Sequence, residues 1–196
     1  MYPFFRLICR IIVKLIGEPE LIGGEHIPRE GPFVLAANHQ SILDPLVLIA
    51  CIPRKITFLA AAYIFRIPLV GLLIRAAGAL PVNGEGSMKS IKTGLARLSQ
   101  GEVLGLFPEG GVSLDGAIKP FRSGWAYFAL KTGAPALPVV LTGSREVLPV
   151  GRYIPRRGQI RITIGEPLPV KKGVRVHREE LDRLNRELVT AIGRLV

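Results

Sequence analysis

Short apolar runs alternate with longer periodic stretches through the middle of the chain. The apolar runs, rich in β-branched and aromatic side chains, predict buried strands; they lie at residues 32–37, 56–59, 136–141 and 159–164. Stretches bounded by serine, glycine or charged residues predict helices; they lie at residues 88–99, 124–131 and 177–196. This alternation of helix and strand predicts an α/β fold, a single domain with a mixed β-sheet flanked by helices.

The first 16 residues are almost wholly apolar, including Phe4 and Phe5. The exceptions, Arg6, Arg10 and Lys14, recur every four residues and would form one basic stripe on a helix. Because a membrane-spanning helix needs about 20 uninterrupted apolar residues, we expect residues 1–17 to be an amphipathic helix lying in the membrane interface, with all five of these side chains contacting lipid. Residues 18–196 would then form the globular domain.

Two alternatives for this segment stay open. A signal peptide would carry its charges at the start and a small-residue cleavage site before Glu18, and the sequence has neither. The other alternative is an amphipathic helix packed onto a water-soluble protein.

Composition supports a peripheral membrane location. The chain of 196 residues is 48% hydrophobic, yet Lys and Arg outnumber Asp and Glu by 26 to 15, for a net charge of +11. Apolar and basic character together predict an anionic membrane surface as partner. Pro53, Pro68 and scattered charges interrupt residues 46–80, so no span long enough to cross a bilayer is predicted there. Nucleic acid is not a predicted partner, because no recognised binding motif is present.

Several classes of chemistry are excluded by the residues present. Cys9 and Cys51 both lie in apolar runs, which predicts free buried thiols. The histidines and cysteines lack metal-site spacing, so no metal is predicted. There is no Gly-rich nucleotide loop and no serine-hydrolase elbow.

The strongest candidate for proton transfer is residues 38–44, NHQSILD, which follow the predicted strand at 32–37. A carboxylate beside an imidazole fixes its tautomer and leaves the other ring nitrogen free to accept a proton. Asp44 is the predicted carboxylate for His39, with Asp44-Pro45 also predicted to start a helix as cap and first residue. The alternative is a loop histidine bonded to backbone, with Asp44 only a cap. His26 lacks a carboxylate at comparable spacing, and we interpret it as structural.

A second element, residues 105–111, reads GLFPEGG after the apolar pair at 103–104. Tandem glycines after a strand permit close backbone approach and leave amides free for a polar or anionic ligand. Together, NHxxxxD and the later FPEG resemble the glycerolipid acyltransferase family, the 1-acylglycerol-3-phosphate acyltransferases. Residues 137–140 and 78–82, with Pro68 and Gly71, resemble two further motifs of that family.

The resemblance implies a glycerol-3-phosphate acyltransferase-like fold, with residues 18–196 as the acyltransferase domain. It implies acyl transfer from acyl-CoA or acyl carrier protein to the free hydroxyl of a lysophospholipid, above all 1-acyl-sn-glycerol-3-phosphate, with no cofactor, at the cytoplasmic face of the membrane. His39 would be the general base and Asp44 would orient it. Acceptor binding is predicted for a set of residues around both motifs: Asn38, Phe107, Pro108, Glu109, Gly110, Gly111, Lys119 and Arg122.

Two positions depart from the family pattern. Gly84 and Val112 stand where the family usually carries arginines thought to bind the acceptor's phosphate. Lysines, backbone amides and helix N-termini can also bind phosphate, which makes Lys89, Lys92, Lys119 and Arg122 the candidates here. Two alternatives follow from these departures: an acyltransferase for another lysolipid or an amino-lipid, and a non-catalytic membrane-surface protein of the same fold.

Overall fold

The computed structural model describes residues 2–68, 70–82, 88–152, 154–172 and 176–196. The strands are β1 (Glu20–Ile22), β2 (Phe33–Ala37), β3 (Ile56–Ala61), β4 (Leu80–Val82), β5 (Val103–Leu106), β6 (Ala136–Thr142) and β7 (Arg161–Ile164). The α-helices are α1 (Tyr2–Ile16), α2 (Asp44–Cys51), α3 (Val70–Ala76), α4 (Met88–Ser99), α5 (Gly124–Thr132), α6 (Ser144–Val147) and α7 (Arg178–Gly193). Short 3-10 turns lie at Gly24–His26 and Ala62–Arg66.

The strands form one mixed sheet in the order β1-β7-β6-β2-β5-β3-β4. The five strands from β6 to β4 in that order are parallel to one another, while β7 runs antiparallel to β6 and pairs in parallel with β1. The carboxyl ends of the five parallel strands therefore meet at one edge. In α/β sheets this edge is where ligands usually bind.

Strand β2 is central, and all five of its residues are buried. It has a continuous apolar run instead of an alternating one because helices cover both faces of a parallel sheet. On one face, Phe33 and Leu35 belong to a core cluster that also holds α1 and α2. On the other, Val34 and Ala36 belong to a second cluster formed with α4, α5 and α7.

Helix α1 is part of the first core, which corrects one predicted lipid contact. Phe5 is only 6% exposed and packs into the core with Cys9, Val13 and Ile16. Arg6 is half-buried, and its Nε donates to the carbonyl of Ile49 at 3.2 Å. The exposed face carries a separate set of apolar side chains: Phe4, Leu7, Ile11 and Leu15. Among the described residues no helix has the length and apolar character needed to cross a membrane.

Most predicted elements are confirmed within three residues at each end. The exceptions are short: α3, α6, β4 and both 3-10 turns have no strong periodic pattern in the sequence. The predicted cap of α2 is wrong, since the capping position is Leu43 and Asp44 is already inside the helix. His26 is structural as predicted, with its Nδ1 2.9 Å from the carbonyl of Ile164.

Both cysteines are free thiols, as the sequence predicted. Cys9 is buried in α1 and Cys51 is half-buried in α2. Burial raises the pKa of each thiol to about 11. Both side chains therefore stay protonated and apolar near neutral pH, as a packed core requires.

Candidate active site

His39 and Asp44 meet at the carboxyl edge of the sheet. His39 lies two residues beyond the end of β2, and Asp44 occupies the first turn of α2. The Nδ1 atom of His39 is 2.9 Å from the Oδ2 atom of Asp44. The imidazole is 14% exposed while the carboxylate is completely buried. The other ring nitrogen, Nε2, has no partner among the described residues, so it is available to a substrate at the surface.

Asp44 is fixed by the loop that carries the histidine. Its Oδ2 atom also accepts hydrogen bonds from the backbone amides of Gln40, at 2.7 Å, and Ser41, at 2.8 Å. Because two backbone donors already hold this oxygen, the carboxylate keeps its position whichever way the imidazole turns. The carboxylate orders the histidine loop instead of capping the helix. Asp44 itself is the first residue of that helix.

The backbone of His39 is held by the second motif. Its amide donates to Oε1 of Glu109 at 2.8 Å, and its carbonyl accepts from the amide of Ser113 at 2.7 Å. The second oxygen of Glu109 accepts from the amide of Lys119 at 3.0 Å. Glu109 thus joins three segments, and it is only 6% exposed. Its observed contacts are with this chain's own backbone, so its predicted contact with an acceptor stays a prediction.

Burial raises the pKa of Glu109 above that of a free glutamate. The two amide hydrogen bonds and the charges of His39 and Lys119 favour the ionised form, but they are outweighed by the loss of hydration. Ionised Glu109 accepts from both backbone amides without needing a proton of its own.

Phe107 lies against the face of the candidate base. Its ring stacks on the imidazole of His39 with centroids 4.0 Å apart and planes 16° apart. One face of the imidazole is therefore covered by an apolar ring. The sequence predicted Phe107 as an acceptor contact, whereas the observed partner is the histidine.

The side chain of Asn38 is bonded to the backbone of a neighbouring strand. Its side-chain nitrogen donates to the carbonyl of Leu141 at 2.9 Å, and its oxygen accepts from the amide of Leu141 at 2.7 Å. The side chain is 1% exposed. Asn38 therefore joins the end of β2 to β6 from inside the protein, and its predicted contact with the acceptor stays a prediction.

The two glycines of the FPEGG motif differ in what they can offer a ligand. The amide of Gly110 donates to the carbonyl of Phe107 at 3.0 Å, and this hydrogen bond closes a turn. The Gly110 amide is therefore not free to donate to a ligand. The amide of Gly111 has no partner within the described ranges, and the residue is exposed. Gly110 has a φ of 76°, and a Cβ atom there would lie 3.0 Å from Nε of Arg122. Only glycine combines that backbone with that close approach.

The predicted basic residues are likewise unequal. The Nζ atom of Lys119 donates to the carbonyl of Val112 at 2.9 Å. Arg122 is exposed beside Gly110, and its guanidinium has no ion pair or hydrogen bond in the described part of the chain. Lys89 and Lys92 are exposed on α4. Residues 83–87, which include Gly84, lie outside the described residues.

Ser113 is the functional-site residue that sequence reasoning missed. It is 1% exposed, and its hydroxyl lies 2.8 Å from Oδ1 of Asp115 and 2.7 Å from the carbonyl of Ala117. These contacts close a turn that presents its amide to His39. No local signal marks it, because a backbone amide is common to nearly every residue type. Metal-site clusters of three or more histidine, cysteine or acidic side chains are absent from the described residues.

Comparison with known proteins agrees with this arrangement. The family model described as acyltransferase matches residues 18–142. The 1-acyl-sn-glycerol-3-phosphate acyltransferase of Bacillus subtilis is 27% identical over 205 residues, covering 100% of both chains. The chloroplastic 1-acyl-sn-glycerol-3-phosphate acyltransferase BAT2 of Brassica napus is 29% identical over 86% of this chain, which spans only 46% of that relative's length. The crystal structure of the 1-acyl-sn-glycerophosphate acyltransferase PlsC from Thermotoga maritima superposes with a TM-score of 0.81 at 25% identity, over 99% of this chain and 78% of that one.

Proposed function

The chain belongs to the acyltransferase family, and from that membership we propose that it transfers a fatty acyl group to the free hydroxyl of 1-acyl-sn-glycerol-3-phosphate, giving phosphatidic acid. The donor is an activated thioester, either acyl-CoA or an acyl group carried on acyl carrier protein. The observation that carries the proposal is the contact between His39 and a fully buried Asp44 at the carboxyl edge of the sheet. The names of the relatives supply the substrate class.

His39 is the general base in this proposal. Its Nε2 atom takes the proton of the acceptor hydroxyl as that oxygen attacks the thioester carbonyl. Asp44 holds the Nδ1 proton and stabilises the imidazolium that forms. When the tetrahedral intermediate collapses, the carbon–sulfur bond breaks and the imidazolium returns its proton to the departing thiolate. No covalent acyl-enzyme is required.

Arg122 is the proposed contact for the acceptor's phosphate. It is exposed beside the FPEGG turn with no partner among the described residues, whereas Lys119 is already bonded to Val112. A guanidinium can bind phosphate through two parallel hydrogen bonds. The exposed amide of Gly111 is the proposed donor to the oxyanion that develops on the thioester carbonyl. Arg122 would thereby replace the arginine that the family carries where this chain has Val112.

The proposed location is the cytoplasmic face of the membrane, with the protein attached peripherally. Phe4, Leu7, Ile11 and Leu15 form an apolar stripe on the outer side of α1, and they are between 53% and 68% exposed. Arg10 and Lys14 flank this stripe and are also exposed. An outward apolar stripe with basic neighbours suits the interface of an anionic bilayer. At this location the lipid acceptor and the enzyme would lie at the same surface.

Val112 favours one second candidate function. Since a valine stands where the family uses an arginine for phosphate, a lysolipid with a different head group is an alternative acceptor. An amino-lipid or another lysophospholipid would fit the same base and the same donor. The two functions differ only in whether activity requires a free phosphate on the acceptor.

The test is a thiol-release assay with the purified chain in lipid or detergent. The assay supplies acyl-CoA or acylated acyl carrier protein as donor, together with a panel of acceptors. We expect thiol release that depends on 1-acyl-sn-glycerol-3-phosphate and is lost in His39→Ala. The matched control is His177→Ala, which removes an exposed histidine at the start of α7 and should keep full activity. Release only with acceptors that lack a free phosphate group would favour the second candidate. Retained activity in His39→Ala would refute the proposed base.

A further inference from the structure

Three rings from three neighbouring strands are stacked near the carboxyl edge of the sheet. His39 follows β2, Phe107 follows β5, and Phe58 lies in β3. Phe107 stacks on His39 at 4.0 Å, and Phe58 stacks on Phe107 at 5.5 Å with planes only 7° apart. Because β5 lies between β2 and β3, Phe107 is the middle ring. The imidazole is thus supported through Phe107 by Phe58, which is 4% exposed and belongs to the core.

Gly105 makes room for the last ring of this stack. It pairs directly with Phe58 across β5 and β3. A Cβ atom at Gly105 would lie 2.5 Å from Cε1 of Phe58 and 2.7 Å from Cγ2 of Ile56. Both distances are far below van der Waals contact, so Phe58 occupies the space that any other residue at 105 would fill. The backbone of Gly105 lies within a regular strand, so the need for glycine comes from size and not from an unusual φ.

We propose that Phe58 and Gly105 are positioning residues for His39, acting through Phe107 to set the tilt of the imidazole. The proposal rests on His39 being the general base. Asp44 fixes the ring only at Nδ1, and rotation about that contact would still swing Nε2. A flat ring against one face removes this freedom, because tilting the imidazole would open the stack or drive it into Phe107. Nε2 then points at the acceptor hydroxyl before the substrate arrives.

The first variant is Gly105→Ala, which places a methyl group against Phe58 and displaces the stack. A misplacement of roughly 1 Å at a reacting group costs on the order of a hundredfold. We expect a smaller displacement of the imidazole here, and therefore a fall in kcat of about tenfold. The KM values for donor and acceptor should stay within about twofold, because both residues are buried. A variant with a smaller residue, Phe58→Leu, should lower kcat in the same way.

The double variant tests whether both changes act through one contact. Leucine at 58 removes the two ring atoms nearest the new methyl group and leaves only the contact with Cγ2 of Ile56, so Gly105→Ala should cost less when Phe58→Leu is already present. The loss of kcat in the double variant should be smaller than the product of the two single losses. Independent, additive losses would overturn the proposal, because they would mean that the two residues do not share a stack.

A control separates positioning from loss of stability. Phe33→Leu makes the same replacement in the same core cluster, but at the amino-terminal end of β2, away from His39. It should lower the unfolding midpoint as Phe58→Leu does and leave kcat unchanged at temperatures where the protein is folded. An equal loss of kcat in Phe33→Leu would attribute the effect to stability alone and reject the positioning role.

A readout that needs no activity completes the test. In proton–carbon NMR spectra of the substrate-free protein, the stacked Phe107 ring shifts the His39 ring signals, which are assigned by their loss in His39→Ala. Gly105→Ala should move these signals and leave those of the exposed His177 unchanged. Unmoved His39 signals would overturn the proposal whether or not the protein transfers acyl groups. Moved signals in a chain with no acyl transfer would uphold the stack and refute only the proposed function.

Discussion

At the scale of single residues, His39 is bound through its backbone as well as its ring. Its amide and carbonyl are both engaged by the loop after β5, and its ring contacts Asp44 and Phe107. These four contacts fix the position of the imidazole before any substrate binds. Preorganisation of this kind lowers the barrier because nothing needs to be reoriented during the reaction.

Glu109 gives a prediction about pH at this scale. Burial raises its pKa in the folded state, so the folded protein binds a proton more readily than the unfolded chain. Above the pKa of a free glutamate, about 4.3, the unfolded chain loses this proton while the folded protein still binds it. The stabilisation that the protonated Glu109 gives to the folded state therefore falls as the pH rises. We therefore expect the free energy of unfolding of the wild type to fall relative to that of Glu109→Gln as the pH rises from the unfolded-state pKa to the raised folded-state pKa of Glu109. Above the folded-state pKa the difference should level off.

Urea unfolding of both proteins at a series of pH values above 4 would measure this difference. The exposed Glu166→Gln is the matched control, and its difference from wild type should not show the same fall. A wild type that instead gains stability relative to Glu109→Gln as the pH rises would show that the amide hydrogen bonds outweigh the loss of hydration.

Arg122 gives the prediction that tests the proposed phosphate contact. Arg122→Gln should raise KM for 1-acyl-sn-glycerol-3-phosphate by roughly tenfold or more, the scale of one lost hydrogen-bonded charge. It should leave KM for the thioester donor unchanged. Lys119→Gln is the comparison, and its effect should be smaller because Lys119 Nζ is held by the carbonyl of Val112. Steady-state kinetics with varied acceptor measures both, and a larger effect in Lys119→Gln would reverse the assignment.

At the scale of elements, α1 has two apolar faces with different environments. Phe5, Cys9, Val13 and Ile16 face the core. Their spacing of three and four residues places them along one side of the helix. The exposed apolar residues follow the same spacing on the opposite side, beginning at Phe4. A helix that is apolar on two sides has one more apolar face than the protein core covers, and we propose that this face contacts lipid.

Replacing two residues of the exposed face tests this assignment. The double variant Leu7→Ser with Ile11→Ser should keep the fold, because both side chains are 53% exposed. Its affinity for vesicles of anionic phospholipid should fall by about tenfold or more, since each fully buried aliphatic side chain contributes roughly 1.5–3 kcal/mol. Vesicle sedimentation measures the bound fraction. Val189→Ser, which removes an apolar side chain that is 48% exposed on α7, should bind as the wild type does.

At the scale of the whole molecule, the sheet brings distant segments to one edge. β2, β5 and β6 are neighbours although they lie far apart along the chain. Their carboxyl ends therefore converge: His39 follows β2, Glu109 follows β5, and Leu141, near the end of β6, bonds to Asn38. Because this edge is built on the most buried strands of the protein, the site rests on rigid elements.

The net charge of +11 gives a prediction at this scale. Binding to anionic vesicles should weaken when the salt concentration is raised from 0.1 to 1 M, because the screening length falls from about 10 Å to about 3 Å. Binding to zwitterionic vesicles should be weak at both salt concentrations. Binding that is independent of salt and of lipid charge would show that the apolar face of α1 acts without electrostatic attraction.

Local sequence patterns were enough to predict the helices and strands and the pair formed by His39 and Asp44. Buried strands and amphipathic helices follow from the local period of apolar residues, and these were found at nearly their observed bounds. His39 and Asp44 are close in sequence, so a single tight loop brings them together. The free thiols could also be predicted, since both cysteines lie in apolar runs.

Tertiary structure alone decided how that pair is held. The contact between His39 and Glu109 joins residues 70 positions apart, and the one between Asn38 and Leu141 joins residues 103 positions apart. Ser113 acts through a backbone amide, and Gly105 acts through the absence of a side chain. Neither leaves a pattern in the sequence, because periodicity reports on the face of one element and not on the neighbour that another strand places against it. Phe5 was assigned to lipid for the same reason, since the sequence showed a helix that is apolar except for one basic stripe, and only the packing of α1 showed which apolar side chains are buried.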